Sequence, residues 1–161
     1  MEDWDARVAR AWDDDALSGD ERIALIDRLA GERDAADARA LFERAGARDA
    51  AGREDEAEPL YRAALAAGLD EVHRPQAVIQ LASTLRNLGR ADEGVALLRG
   101  EVAREPEGPL RPAAEAFLAL ALVSAGDPTR AVSVALGALA PRLPLYSRSV
   151  AAYAAALVDE A

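Results

Sequence analysis

Apolar positions recur along this chain at helical spacing, and no stretch reads as a strand. Trp4, Val8 and Trp12 stand at i, i+4 and i+8, one stripe of a helix from about Asp3 to Trp12. Leu17-Ser18-Gly19-Asp20 interrupts it. Ser18 and Glu21 have capping-box spacing, so a second helix starts there. It carries Ile23, Ile26, Leu29 and Ala30 on one face and ends near Gly31. Asp34 or Asp37 opens a third, running through Leu41 and Phe42 to about Ala51. Six more follow: Asp55 to Ala67, Pro75 to Leu88, Ala91 to Glu105, Pro112 to Ala125, Pro128 to Leu139, and about Leu145 to Asp159. Proline at the start of a helix removes an amide that would be unsatisfied anyway. The pattern predicts nine helices without a flexible linker.

The helices repeat as pairs. Gly52-Arg53-Glu54-Asp55-Glu56-Ala57 returns as Gly89-Arg90-Ala91-Asp92-Glu93-Gly94, and again as Gly126-Asp127-Pro128-Thr129-Arg130-Ala131. Each step is 37 residues, and Arg74-Pro75 to Arg111-Pro112 keeps it. A fixed period of this length marks a repeat architecture. Such chains build extended surfaces for binding rather than deep sites for chemistry. Gly19 and Ala24 precede Gly52 and Ala57 by 33, so the N-terminal helices read as a decayed repeat acting as a cap.

Composition narrows the class. Half of the 161 residues are apolar, only 4% are aromatic, and alanine and leucine dominate, which favours helices that approach closely. The net charge is −10, from 29 acidic and 19 basic residues. Nucleic acid and anionic membrane need cationic surface, so neither is expected as the partner. Every basic residue is arginine, which with the alanine and aspartate suggests a GC-rich bacterial genome. There is no cysteine, hence no disulfide or thiolate chemistry. The longest charge-free apolar run is about Val150 to Val158, too short to span a bilayer. A cytoplasmic location is the expectation.

Spacing within the pairs is specific. Val78, Leu81, Ala82 and Leu85 are followed by Gly94, Leu98 and Pro106. This resembles the tetratricopeptide repeat. Leu41, Ala45, Ala57, Tyr61 and Ala64 fit a first unit, with Arg44 and Arg48 where large apolar residues are usual. Leu118, Ala119, Leu122, Ala131 and Ala138 fit a third, with Glu115 and Ala135 departing. Pro59 to Asp70 and Leu81 to Arg90 are similar to the bacterial group-5 tetratricopeptide domain, and the resemblance covers roughly Asp37 to Glu160. It implies an all-α right-handed superhelix in one domain. Residues 1–33 would be the N-terminal cap, 37–144 three helix pairs and 145–161 a C-terminal capping helix. It implies a non-catalytic scaffold for a protein or peptide, with no cofactor.

In that family the first helix of each pair lines the concave face. Aligned on the turn glycines, the first unit contributes Arg39, Phe42, Gly46 and Asp49. The second contributes Gln76, Ile79, Ser83, Arg86 and Asn87, and the third Ala113, Ala116, Leu120 and Val123. Arg86 with Gln76 and Asn87 could grip a carboxylate, or Arg86 could simply pair with neighbouring acids. The last helix is apolar nearly all round, so Val150, Tyr153 and Leu157 are candidates for a homodimer contact, unless the helix fills the groove of its own chain.

Other chemistry is thin. His73 is the only histidine, expected in a surface loop before Pro75, and one histidine makes neither a triad nor a two-histidine metal site. Asp13-Asp14-Asp15 and Glu54-Asp55-Glu56 are read as carboxylates at helix starts, where the dipole favours them, rather than as metal sites. No phosphate-loop motif accompanies Gly52-Arg53 or Gly89-Arg90. Trp4 and Trp12 read as core of the cap.

Overall fold

A computed structural model of the chain describes residues 3–159, so the outermost positions of the expected cap and last segment lie outside the described residues. Among the described residues are nine α-helices and no strand. They are α1 (Trp4–Asp13), α2 (Gly19–Ala30), α3 (Ala38–Ala50), α4 (Glu54–Ala67), α5 (His73–Asn87), α6 (Ala91–Arg104), α7 (Arg111–Ser124), α8 (Pro128–Leu139) and α9 (Ser147–Asp159). The fold is all-α, as the periodicity predicts. The chain divides into two compact units, Met1–Thr84 and Leu85–Ala161.

The helix ends follow from local chemistry. The Ser18 capping box forms in full, its hydroxyl oxygen accepting from the Glu21 amide. Asp37, not Asp34, caps α3, accepting from the Ala40 amide at 2.8 Å. The 37-residue echo is one turn made three times. Gly52, Gly89 and Gly126 have φ of 71°, 78° and 86°, a left-handed backbone that costs glycine little. Beyond each, the amides of Arg53, Arg90 and Asp127 donate to the carbonyls of Arg48, Leu85 and Leu122, at 2.9, 2.8 and 2.9 Å. Those bonds close the ends of α3, α5 and α7.

In the first unit α1 packs on α2, α2 on α3 and α3 on α4. Trp4, Val8 and Ala11 of α1 meet Ile23, Ile26 and Leu29 of α2 and Ala40 and Ala47 of α3 in one core. The Trp4 indole donates to the Leu29 carbonyl at 2.8 Å, and the Arg33 guanidinium lies 3.9 Å from its ring centroid. Between α3 and α4 the small residues Ala45, Ala57 and Ala64 are fully buried around Tyr61. Arg44 and Arg48, which break the apolar pattern of α3, converge on Asp27 of α2. Arg44 Nε reaches Asp27 Oδ1 at 2.9 Å, and Arg48 bonds both carboxylate oxygens, at 3.1 and 2.9 Å. A forked ion pair stands where a greasy contact is usual.

The second unit packs α6 on α7, α7 on α8 and α8 on α9. Leu98, Leu118, Ala121, Leu122 and Ala131 are buried at its centre. Burying one leucine side chain stabilises by about 1.5–3 kcal/mol. Glu115, a departure from the repeat pattern, pairs with Arg111 on its own helix at 2.9 Å. α8 ends in a short 3-10 turn, Ala140–Arg142, and α9 begins after Pro144-Leu145-Tyr146.

Two expectations change. The acidic run Asp13-Asp14-Asp15 lies at the C-terminal end of α1 rather than before a helix start. The interruption that follows and α2 supply partners for Asp14 instead. Asp14 Oδ1 accepts from the Ala16 amide, and the Asp14 carbonyl accepts from Arg22. Glu54, Asp55 and Glu56 do form the first turn of α4. His73 is the first residue of α5 rather than part of a free loop. Its Nδ1 lies 2.7 Å from Asp70 Oδ2 and its ring 5.9 Å from that of Phe42.

Candidate binding surface of the first helices

The predicted site residues stand in columns 37 apart: Arg39, Gln76, Ala113; Phe42, Ile79, Ala116; Gly46, Ser83, Leu120; Asp49, Arg86, Val123. One more step reaches α9, at Val150, Tyr153 and Leu157. The residues put forward as a groove and those put forward as a dimer contact are therefore the same columns, α9 being the counterpart of α7.

In the first unit the columns are filled from within. Phe42 and Ile79 are only 6% and 7% exposed. Phe42 packs against Tyr61, ring centroids 6.2 Å apart, and against His73. Arg39 bonds Glu43 at 2.7 Å and Asp5 at 3.3 Å. Trp12 covers Gly46, and a Cβ there would come within 3.3 Å of its ring. Asp49 accepts from Thr84 Oγ1 at 3.1 Å and from the Tyr61 hydroxyl at 3.2 Å. Burial raises the Asp49 pKa above its ordinary value, against the pull of those two bonds. Burial and the nearby Asp49 charge push the Tyr61 hydroxyl up. Gln76 spends its amide on the Val72 carbonyl at 3.0 Å, and Ser83 is half-buried.

In the second unit the same columns face solvent. Leu120 is 47% exposed and Tyr153 71%, with Val123 and Leu157 exposed beside them in sequence register and Val150 half-buried. Arg86 is half-buried and has no carboxylate partner among the described residues. It donates to the side chain of its neighbour, the exposed Asn87, at 3.3 Å, and its buried Nε has no acceptor. Gln76, expected to work with them, belongs to the other unit. Leu120 and Val123 of α7 and Tyr153 and Leu157 of α9 thus leave apolar side chains in water.

A tetratricopeptide repeat family model matches residues 38–157. The chain belongs to the tetratricopeptide repeat family. The match takes in α3 to α9, so α9 is inside the repeat region, in agreement with its register on α7. No curated protein and no solved structure matches the chain. Repeats of this family generally bind proteins or peptides. No helix among the described residues is long and apolar enough to cross a membrane. No group of three or more His, Asp or Glu among them is placed to hold a metal ion.

The contact of Trp12 with α3 is not readable from spacing. Its signal is the stripe with Trp4 and Val8, which enters the core shared with α2. The stripe does not show that the indole edge also reaches α3, where it donates to Glu43 Oε2 at 2.6 Å.

Proposed function

We propose that this repeat protein is a non-catalytic scaffold that binds a protein or peptide through the first-helix columns of its second unit, with α1 and α2 as the cap of the array. The carrying observation is the contrast within those columns. Phe42 and Ile79 are spent on the interior, whereas Leu120, Val123, Tyr153 and Leu157 are left in water. Exposed apolar surface gathered on one set of positions marks an interaction face. Panning a random peptide library on the intact chain tests this. Selected peptides should bind Leu120→Glu and Tyr153→Glu at least about tenfold more weakly, about 1.4 kcal/mol. Peptides indifferent to both substitutions would sink the reading.

Self-association through α9 is the second reading. Ala154 is the one buried residue of α9 among those described, and Tyr153 and Leu157 are bare. Light scattering separates the two: a dimer abolished by Tyr153→Glu favours self-association, and a monomer at micromolar concentration removes it.

A further inference from the structure

The chain has a hole in its acidity. With 29 carboxylates in 161 residues, none falls between Pro128 and Val158. No other stretch without Asp or Glu exceeds the twenty residues from Val72 to Ala91. The gap covers α8, the 3-10 turn and all of α9 but its last residue, Asp159, within the second unit. Among the described residues it also holds six of the ten large apolar residues that are exposed: Val132, Leu139, Leu145, Tyr146, Tyr153 and Leu157.

The charges inside the gap are arginines. Arg130 pairs with Asp127 at the edge of the gap, at 3.6 Å. Arg142 and Arg148 are exposed and have no carboxylate partner among the described residues. They bracket Leu145 and Tyr146, which are 69% and 76% exposed. Tyr146 is the one non-glycine residue among those described with a positive φ, 66°. Its carbonyl accepts from the Val150 amide at 2.9 Å and so starts α9. A bulky residue rarely adopts that backbone conformation.

We propose that α8, the turn and α9 dock an amphipathic polypeptide segment whose polar positions are acidic. Its apolar side would cover Leu145, Tyr146 and Tyr153, and its carboxylates would meet Arg142 and Arg148. Charge complementarity chooses this occupant over a basic one, since Arg142 and Arg148 flank Leu145 and Tyr146 in sequence and the carboxylates of the stretch stand only at its ends, Asp127 and Asp159. The global charge of −10 opposes it only at long range, because salt screens fields beyond about 8 Å. A lipid bilayer is disfavoured, since an extended anionic plane would face the whole acidic chain for the sake of two arginines. The inference rests on the apolar columns being the binding face.

The test uses two labelled synthetic helices of about 18 residues, one of leucine and glutamate, the other with lysine for every glutamate, in fluorescence anisotropy with the full chain at about 0.15 M salt. Net charge alone favours the lysine peptide. The proposal requires the glutamate peptide to bind at least about tenfold tighter, and Arg142→Glu with Arg148→Glu to reverse the order. Both arginines are exposed, and circular dichroism checks that the double variant is folded. Tighter binding of the lysine peptide overturns the proposal, as does a glutamate preference that survives the double variant. Equal affinity lost in Tyr153→Glu also overturns it but leaves the apolar face standing; failure of both peptides to bind overturns it as well and leaves the face to the library panning. Phosphatidylglycerol vesicles that capture the chain and displace the glutamate peptide would overturn it in favour of lipid.

Discussion

Trp12 on α1 donates its indole N–H to Glu43 on α3, at 2.6 Å. Glu43 is buried, and Arg39 holds its other oxygen. The same indole lies over Gly46. One aromatic side chain thus satisfies a buried carboxylate and closes a column of the candidate surface. Trp12→Phe keeps most of the ring and removes the donor. The expected cost is about 1.5–3 kcal/mol, the value of a hydrogen bond to a charged group, read from urea unfolding at neutral pH. A cost near zero would mean that water replaces the indole.

Acid titration should separate three aspartates by sign. Burial pushes the Asp27 carboxyl up, but hydrogen bonds from Arg48 and Arg44 outweigh it, and the pKa is lowered. Asp70 is lowered to about 2 by side-chain and backbone hydrogen bonds from His73. Folding favours the ionised form of both. Their contribution is full above an ordinary pKa of about 4 and is lost as the pH falls through their lowered values. Asp49 is raised, so its contribution is present below about pH 4 and lost as the pH rises through its raised value. Asp70→Asn should flatten the fall in stability between about pH 4 and 2. Asp49→Asn should remove a decline above about pH 4. Urea midpoints from acid to neutral pH check both.

The column of Phe42 and Tyr153 should divide by mutation. Phe42→Ala opens a cavity beneath Tyr61 and His73 and should cost about 3–5 kcal/mol. Tyr153→Ala removes a ring already in water and should stay within about 0.5 kcal/mol. Thermal melts of the two variants decide whether one repeat position serves packing in one unit and presentation in the other.

At Gly89 a Cβ would meet nothing within 4 Å, so only the backbone conformation at φ 78° resists substitution. Gly89→Ala should cost about 1–2 kcal/mol, and Gly89→Asn less, because asparagine enters the left-handed region more readily. Equal losses in the two variants would point to crowding that the structure does not show.

Most of the fold was legible because repeats write their rules in small residues and turns. Gly52, Gly89, Gly126 and Ser18 each act within a few residues of sequence, and each does what its spacing predicts. Contacts between helices distant in sequence were not legible. Arg44 and Arg48 look like faults in the α3 pattern until Asp27, on another helix, is placed beside them. Phe42 falls in a presented column by register, yet His73 and Tyr61 close over it. Exposure depends on what the neighbouring helix carries, and the register of one helix is silent about that. Tyr153 and Leu157 were legible as bare apolar residues, but their membership of the Phe42 and Gly46 columns needed the boundaries of α9.

The grip of Asp27 on Arg44 and Arg48 also bears on how the first unit answers heat. Charged groups lose hydration free energy as temperature rises, so the penalty for bringing them together shrinks. A leucine seam exposes more apolar surface on melting and carries a larger heat-capacity change. The contact between α2 and α3 therefore has, beside its Ile26 and Leu29 core, a component whose desolvation cost falls on warming, so Asp27→Asn should cost more stability at high temperature than at low.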